Sequence, residues 1–151
     1  MAEATRTVVL PVDLSDHAEA AFDWFVDHIH KEGDNVIILF SQDCTIPSST
    51  FYQQRNVEVF QNIIKTAKEN AKELVNKYNA KLKTTKMKGK VECIFDSVPG
   101  QGIVKFAKEN QASLVVMGSR GLGAVRRTIL GSVSDYVLHH SHCPIVIIPK
   151  H

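Results

Sequence analysis

Apolar and polar positions fall in alternating blocks along the chain, and the blocks carry two different periods. Thr7-Val8-Val9-Leu10-Pro11-Val12 is a continuous apolar run, the pattern of a strand buried on both faces of a parallel sheet. Pro11 cannot donate to a ladder, so the strand is expected to end there. Ser15 or Asp16 can cap the next helix, and Asp16 with Glu19 resembles a capping box. Ala18, Ala21, Phe22, Phe25 and Ile29 recur at threes and fours and give that helix one apolar face, with Gly33 as its stop. Val36 to Phe40 reads as a second buried strand. Ser41 to Gln54 is polar and aperiodic, a long loop of the kind that is usually functional or mobile.

Val57, Phe60, Ile64, Ala67, Ala71, Leu74 and Tyr78 then predict a long helix. Alanines at several seam positions suit packing on a sheet better than a coiled coil. Lys81 to Lys90 reads as a basic, solvated connector, and Val91 to Phe95 as a third strand. Asp96 or Ser97 is expected to cap a third helix carrying Ile103, Phe106 and Ala107, whose first turn Gly100 and Gly102 weaken by roughly 1 kcal/mol each relative to Ala. Leu114 to Met117 is a fourth strand. Ser134 to His140 belongs to a fourth helix, with Val133, Val137 and Leu138 inward, and the run between Pro144 and Pro149 is a fifth strand. Five strands and four helices in βαβ succession mean a parallel sheet with helices on both faces, because right-handed crossovers leave little choice. Ligands of such sheets bind beyond the carboxyl ends of the strands, where strand order reverses. In a 3-2-1-4-5 order that point lies between strands one and four, with Asp13 facing Gly118.

Composition narrows the class. A chain of 151 residues, 44% apolar and 23% charged, is expected to be one ordinary domain spanning 1–151, neither disordered nor a disulfide miniprotein. A net charge of +2 with no block of like charge gives no sign of nucleic-acid binding. No apolar run approaches the roughly 20 residues of a membrane span, and Met-Ala-Glu-Ala-Thr-Arg lacks the features of a signal peptide. Cys44, Cys93 and Cys143, an odd and widely spaced set, read as reduced, mostly buried thiols of a cytoplasmic protein.

The candidate chemistry lies just after the fourth strand. Glycines recur at Gly118, Gly121, Gly123 and Gly131, and Ser132 and Ser134 open the next helix. Glycines let a ligand approach the backbone, and free amides at a loop or helix start point N–H groups at anions. Strand, glycine loop and hydroxyl-bearing helix start are the parts of a phosphate site. His139, His140 and His142 invite a metal reading, but no complete ligand set accompanies them, and a basic helix end accounts for them through the helix dipole. Without Gly-x4-Gly-Lys-Ser/Thr or an arguable nucleophile–base pair, the pattern favours a binding module over an enzyme, with slow ATP hydrolysis as the most expected of it.

Gly118-Ser-Arg-Gly121, nine residues, then Gly131-Ser132 resembles the Gly-x2-Gly-x9-Gly-Ser/Thr motif of the universal stress protein family, in its ATP-binding branch. Val9-Leu10-Pro11-Val12-Asp13-Leu14-Ser15, Ala112 to Gly118 and His142-Cys143-Pro144-Ile145-Val146-Ile147 are similar to that family's first strand and turn, fourth strand and closing strand, so the resemblance covers nearly the whole chain. It implies a Rossmann-like three-layer α/β sandwich, a five-stranded parallel sheet of order 3-2-1-4-5 with four helices, binding ATP or AMP. By that similarity Pro11, Val12 and Asp13 would border adenine and ribose and Met117 would pack near the base. Gly118, Arg120 and Gly121 would line the phosphates, joined by the backbone and hydroxyls of Gly131, Ser132, Val133 and Ser134. Mg²⁺ would enter through the nucleotide phosphates, with Asp13 at hand. The last strand, Ile145 to Ile148, would form a sheet edge that pairs with a second copy into a homodimer. Val98 departs from the Asp that the family often has before Pro99, which bears on helix capping. Arg126 and Arg127 lie between the glycines and are open to either a phosphate or a solvated role. Two alternatives stay beside this reading: a dimeric interaction protein without nucleotide, and a receiver-like phospho-acceptor using Asp96, Asp13 and Lys150, which would need a further helix after that lysine.

Overall fold

The computed structural model describes residues 5–42, 57–96, 98–119 and 130–149. Strands β1 (Thr7–Val12), β2 (Asn35–Gln42), β3 (Gly89–Phe95), β4 (Leu114–Gly118) and β5 (Ile145–Ile148) alternate with helices α1 (Asp16–His28), α2 (Val57–Thr85), α3 (Pro99–Glu109) and α4 (Ser132–His140). All strand pairs are parallel and the order is β3-β2-β1-β4-β5, as the resemblance implied.

Because successive side chains leave a strand on opposite faces, each central strand feeds two cores. Val8, Leu10, Val36, Ile38, Phe40 and Val116 pack with Phe22 and Phe25 of α1 and with Leu74, Tyr78 and Leu82 of α2. Val9, Ile37, Leu39, Val115 and Met117 pack with Ile103, Phe106 and Ala107 of α3 and Val137 of α4. Hence the strands read as unbroken apolar runs, and hence there are three layers.

Several local expectations are corrected. Ser15 alone caps α1, its hydroxyl accepting the Ala18 N–H at 3.1 Å. Glu19 forms no capping box; it pairs instead with Lys77 at 2.6 Å and Lys81 at 3.1 Å on α2. Those two lysines then hold its carboxyl below the usual range. Helix α2 runs on to Thr85 through residues read as a connector, with Leu82 buried beneath. At its other end α2 leaves the core: Val57, Phe60 and Ile64 are exposed, and only Leu74, Tyr78 and Leu82 are buried. Helix α1 ends at Ile29, and Gly33 serves the following turn with φ +90°. Helix α3 starts at Val98 without a side-chain cap, while Asp96 Oδ1 accepts the Val98 N–H at 2.9 Å. Ser97 and residues 43–54 of the polar loop, with Cys44, lie outside the described residues, while Ser41 and Gln42, read as loop, belong to β2. Leu138 points outward at 42% exposure, and Ser134 with Val137 forms the buried face of α4. Cys93 and Cys143 are free and half-buried, and burial followed by the Glu92 charge pushes the Cys93 thiol up. Among the described residues no helix is long and apolar enough to cross a membrane.

Candidate functional site

Pro11 does not end β1; it sits within it, opposite Leu39 of β2. Arg6 O accepts from Asn35 N–H and Thr7 O accepts from Ser113 N–H, so even residues of β1 face β2 and odd ones face the β4 side. Pro11 therefore turns a nitrogen without hydrogen toward β4. The β1–β4 ladder holds Val8 to Leu114 and Val9 to Val115 and goes no further, although the strands run on to Val12 and Gly118. The two central strands thus lose their pairing toward their carboxyl ends, at the place where strand order reverses. In sheets of this kind ligands bind at that point, the candidate crevice.

Its β1 wall ends in a tight turn in which Asp13 Oδ1 accepts the Ser15 N–H at 2.8 Å. Val12 is buried in the core on the α1 side, so a ligand would meet its backbone, and Met117 is buried among the α3 and α4 residues. Ser41, next to Phe40 in β2 and so level with Asp13, has a buried hydroxyl with no hydrogen-bond partner among the described residues; the same holds for Gln42 Oε1.

On the β4 side the chain leaves Gly118 through Ser119, and this residue organises the turn into α4. Its N–H donates to Ile148 O at 2.9 Å, and its carbonyl accepts the Gly131 N–H at 2.7 Å and the Ser134 hydroxyl at 2.8 Å. Gly131 is the N-cap of α4 and no side chain caps it. The first intrahelical acceptor is Gly131 O, which takes the Asp135 N–H, so the N–H groups of Ser132, Val133 and Ser134 precede the helical ladder. Ser132 is exposed beside them, whereas Ser134 is buried and also reaches Gly131 O at 3.0 Å. The Ser134 hydroxyl is therefore committed to the backbone of the turn. Arg120, Gly121, Gly123, Arg126 and Arg127 lie outside the described residues.

His17 and Ser119 carry no weight in the sequence reading, yet they meet across the crevice, with Nε2 3.4 Å from Oγ and both residues buried. One signal was available: His17 stands at the spacing of Ala21 and Phe25, a polar ring on an otherwise apolar helix face. The three late histidines do not converge. His139 Nδ1 lies 2.8 Å from Asp135 O, His140 Nδ1 lies 2.8 Å from Tyr136 O, and no group of three or more His, Cys, Asp or Glu among the described residues is placed to hold a metal.

An open, doubly wound α/β domain with its strand order reversing between β1 and β4 is the class this geometry defines. Residues 4–149 match the model of the Universal stress protein family, and the chain belongs to that family. It is 30% identical to universal stress protein Sll1388 of Synechocystis over 149 residues, covering 93% of this chain and 96% of that one. The solved universal stress protein UspA from Lactobacillus plantarum superposes with a TM-score of 0.77 at 26% identity, covering 97% of this chain and 99% of that one. A family protein from Arabidopsis thaliana with AMP bound shares the fold with a TM-score of 0.71 at 19% identity, covering 97% and 92%.

Proposed function

We propose that the protein binds an adenine nucleotide, ATP or AMP, in the crevice between β1 and β4, and acts as a homodimeric cytoplasmic binding or signalling module of the stress response. The observation that carries this reading is the start of α4: a bare glycine N-cap followed by N–H groups that no carbonyl of the helix takes. Such a helix end favours an anion through its N–H groups and its dipole together. The phosphates would rest on Gly118, Arg120, Gly121, Gly131 and the N–H groups of Ser132, Val133 and Ser134, with the Ser132 hydroxyl as a further donor. Ser134 would contribute its N–H while its hydroxyl holds the turn. Pro11, the Val12 backbone, Asp13 and Met117 would border ribose and base, and the unpartnered Ser41 hydroxyl would meet the base edge. Mg²⁺ would arrive with the phosphates, near the Asp13 carboxylate. The AMP complex of the Arabidopsis family protein supports the ligand class.

The absence of a phosphate-neutralising lysine motif supports holding over turnover. Strand β5, at the edge of the sheet, would pair with its own copy about a two-fold axis, closing both edges. Calorimetry with ATP, AMP and adenosine tests the site. ATP is expected to bind and adenosine to bind far more weakly. Equal affinities would show that the glycine loop cradles no phosphate, and no binding by any of the three would favour an interaction protein without nucleotide.

A further inference from the structure

We infer that His17 is a positioning residue for the phosphate side of the crevice, holding the Ser119 hydroxyl and through it the junction on which the start of α4 hangs. Its functional consequence rests on the nucleotide reading, and its physical basis on the geometry of the free protein.

Four elements meet at Ser119. Its N–H is taken by Ile148 of β5, and its carbonyl by Gly131 and Ser134 at the start of α4. The hydroxyl is the remaining polar group, and it faces Nε2 of His17 in the first turn of α1, a residue 102 positions away in sequence. Both side chains are buried, where a hydrogen bond is shielded from water. The contact spans the gap where the β1–β4 ladder has stopped. It therefore couples the turn that carries Asp13 to the turn that carries Gly131, two segments with no strand pairing between them. Loss of the imidazole would free the Ser119 side chain, and the Gly131 N–H and the first-turn amides of α4 would lose their fixed direction.

A histidine that merely fills the core would lower stability and leave ligand discrimination alone, so the test reads both. In ligand-free protein, hydrogen exchange over 130–135 should quicken roughly two- to tenfold in His17→Ala and in Ser119→Ala, the effect of losing one neutral hydrogen bond. Exchange over 74–82 of α2 serves as the reference and should not change. By calorimetry, ATP affinity should fall by a similar factor while adenosine affinity holds. His17→Gln, which keeps a polar end, should recover most of the loss, and the double variant His17→Ala/Ser119→Ala should lose no more than His17→Ala alone. Ser119→Ala removes one atom and keeps the test available if His17→Ala folds poorly. Unchanged exchange at 130–135, or equal losses for ATP and adenosine, overturns the inference. If the unmodified protein binds neither ligand, the nucleotide reading fails, and the exchange result alone decides whether His17 holds Ser119.

Discussion

At Gly131 the backbone angles, φ −61° and ψ 155°, lie in a region open to any amino acid, so a side chain there brings no backbone strain. Gly131→Val should therefore fold with a near-normal melting curve while a branched Cβ blocks the approach of a phosphate. Calorimetry is expected to show ATP binding lost, and retained affinity would remove this glycine from the site. Its neighbour Ser132 is exposed and free of the turn's internal bonds, unlike Ser134. Ser132→Ala removes a hydroxyl donor to a charged acceptor, an interaction of about 1.5–3 kcal/mol, so ATP affinity should fall roughly ten- to a hundredfold. An unchanged constant would show that the hydroxyl touches no phosphate.

Between elements, the close approach of α3 and α4 depends on a position that local propensity describes as a weakness. A Cβ on Gly100 would stand 2.8 Å from Tyr136 Cδ1 and 3.0 Å from Tyr136 Cβ, the second atom being rigidly attached to α4. Alanine would gain roughly 1 kcal/mol of helix propensity and meet an overpacking cost of about 1–3 kcal/mol. Gly100→Ala should thus lower the urea midpoint; a rise would mean that α4 moves aside freely. On the other face, α1 and α2 are held by packing and charge together: Phe22 meets the Tyr78 ring edge-on, and Lys77 and Lys81 reach Glu19, with Lys81 also 2.8 Å from Asp23. These ion pairs are partly exposed and add little to stability by themselves. They join the last turns of α2 to α1 beside the Phe22–Tyr78 contact.

For the molecule as a whole, the edge strand β5 bears on the proposed assembly, and the amino ends of β1 and β2 on the response to pH. Pro144 O accepts from Val115 of β4 and Ile148 O from Ser119 just past it, so by the two-residue alternation Val146 also faces β4 while Ile145 and Ile147 turn their N–H groups to the open edge. Ile147→Pro should weaken the proposed dimer with little effect on the protomer, whereas Val146→Pro should damage the sheet. Light scattering and circular dichroism separate the two outcomes, and a monomer for the unmodified protein at micromolar concentration would overturn the dimer.

Just before β1 and β2, Arg6 Nε and Nη2 donate to the two Asp34 oxygens at 2.8 and 2.7 Å, and Lys31 N–H donates at 2.9 Å. Burial pushes the Asp34 carboxyl up, but the Arg6 and Lys31 hydrogen bonds with the nearby positive charges outweigh it and hold the group low. A carboxyl lower in the folded than the unfolded chain contributes stability that is full above the unfolded value of about 4 and fades as pH falls toward the folded one. The urea midpoint of Asp34→Asn should therefore lie below that of the unmodified protein at neutral pH. The gap should close in acid, and a gap independent of pH would show that charge is not its source.

Periodicity along the chain was enough to place all five strands and all four helices, because burial on one or two faces leaves a repeat of about 3.6 or an unbroken run in the residues themselves. The glycine spacing pointed to the family and to the start of α4, since bare N–H groups and close approach are needs of the local backbone. Other features depend on partners far away in sequence, and no local pattern announces them. Lys81 read as solvated until α1 supplied Glu19 and Asp23. Glu19 read as a cap until α2 drew it off. Gly100 read as a flaw until Tyr136 came against it, and Leu138 read as core although α4 turns that side outward. Pro11 looked like a strand end, but it lies inside the strand with its N–H-less nitrogen toward β4, where the ladder stops, and His17 of α1 meets Ser119 across that stop. Strand register and helix placement settle which distant groups meet, and they exist once the sheet has closed.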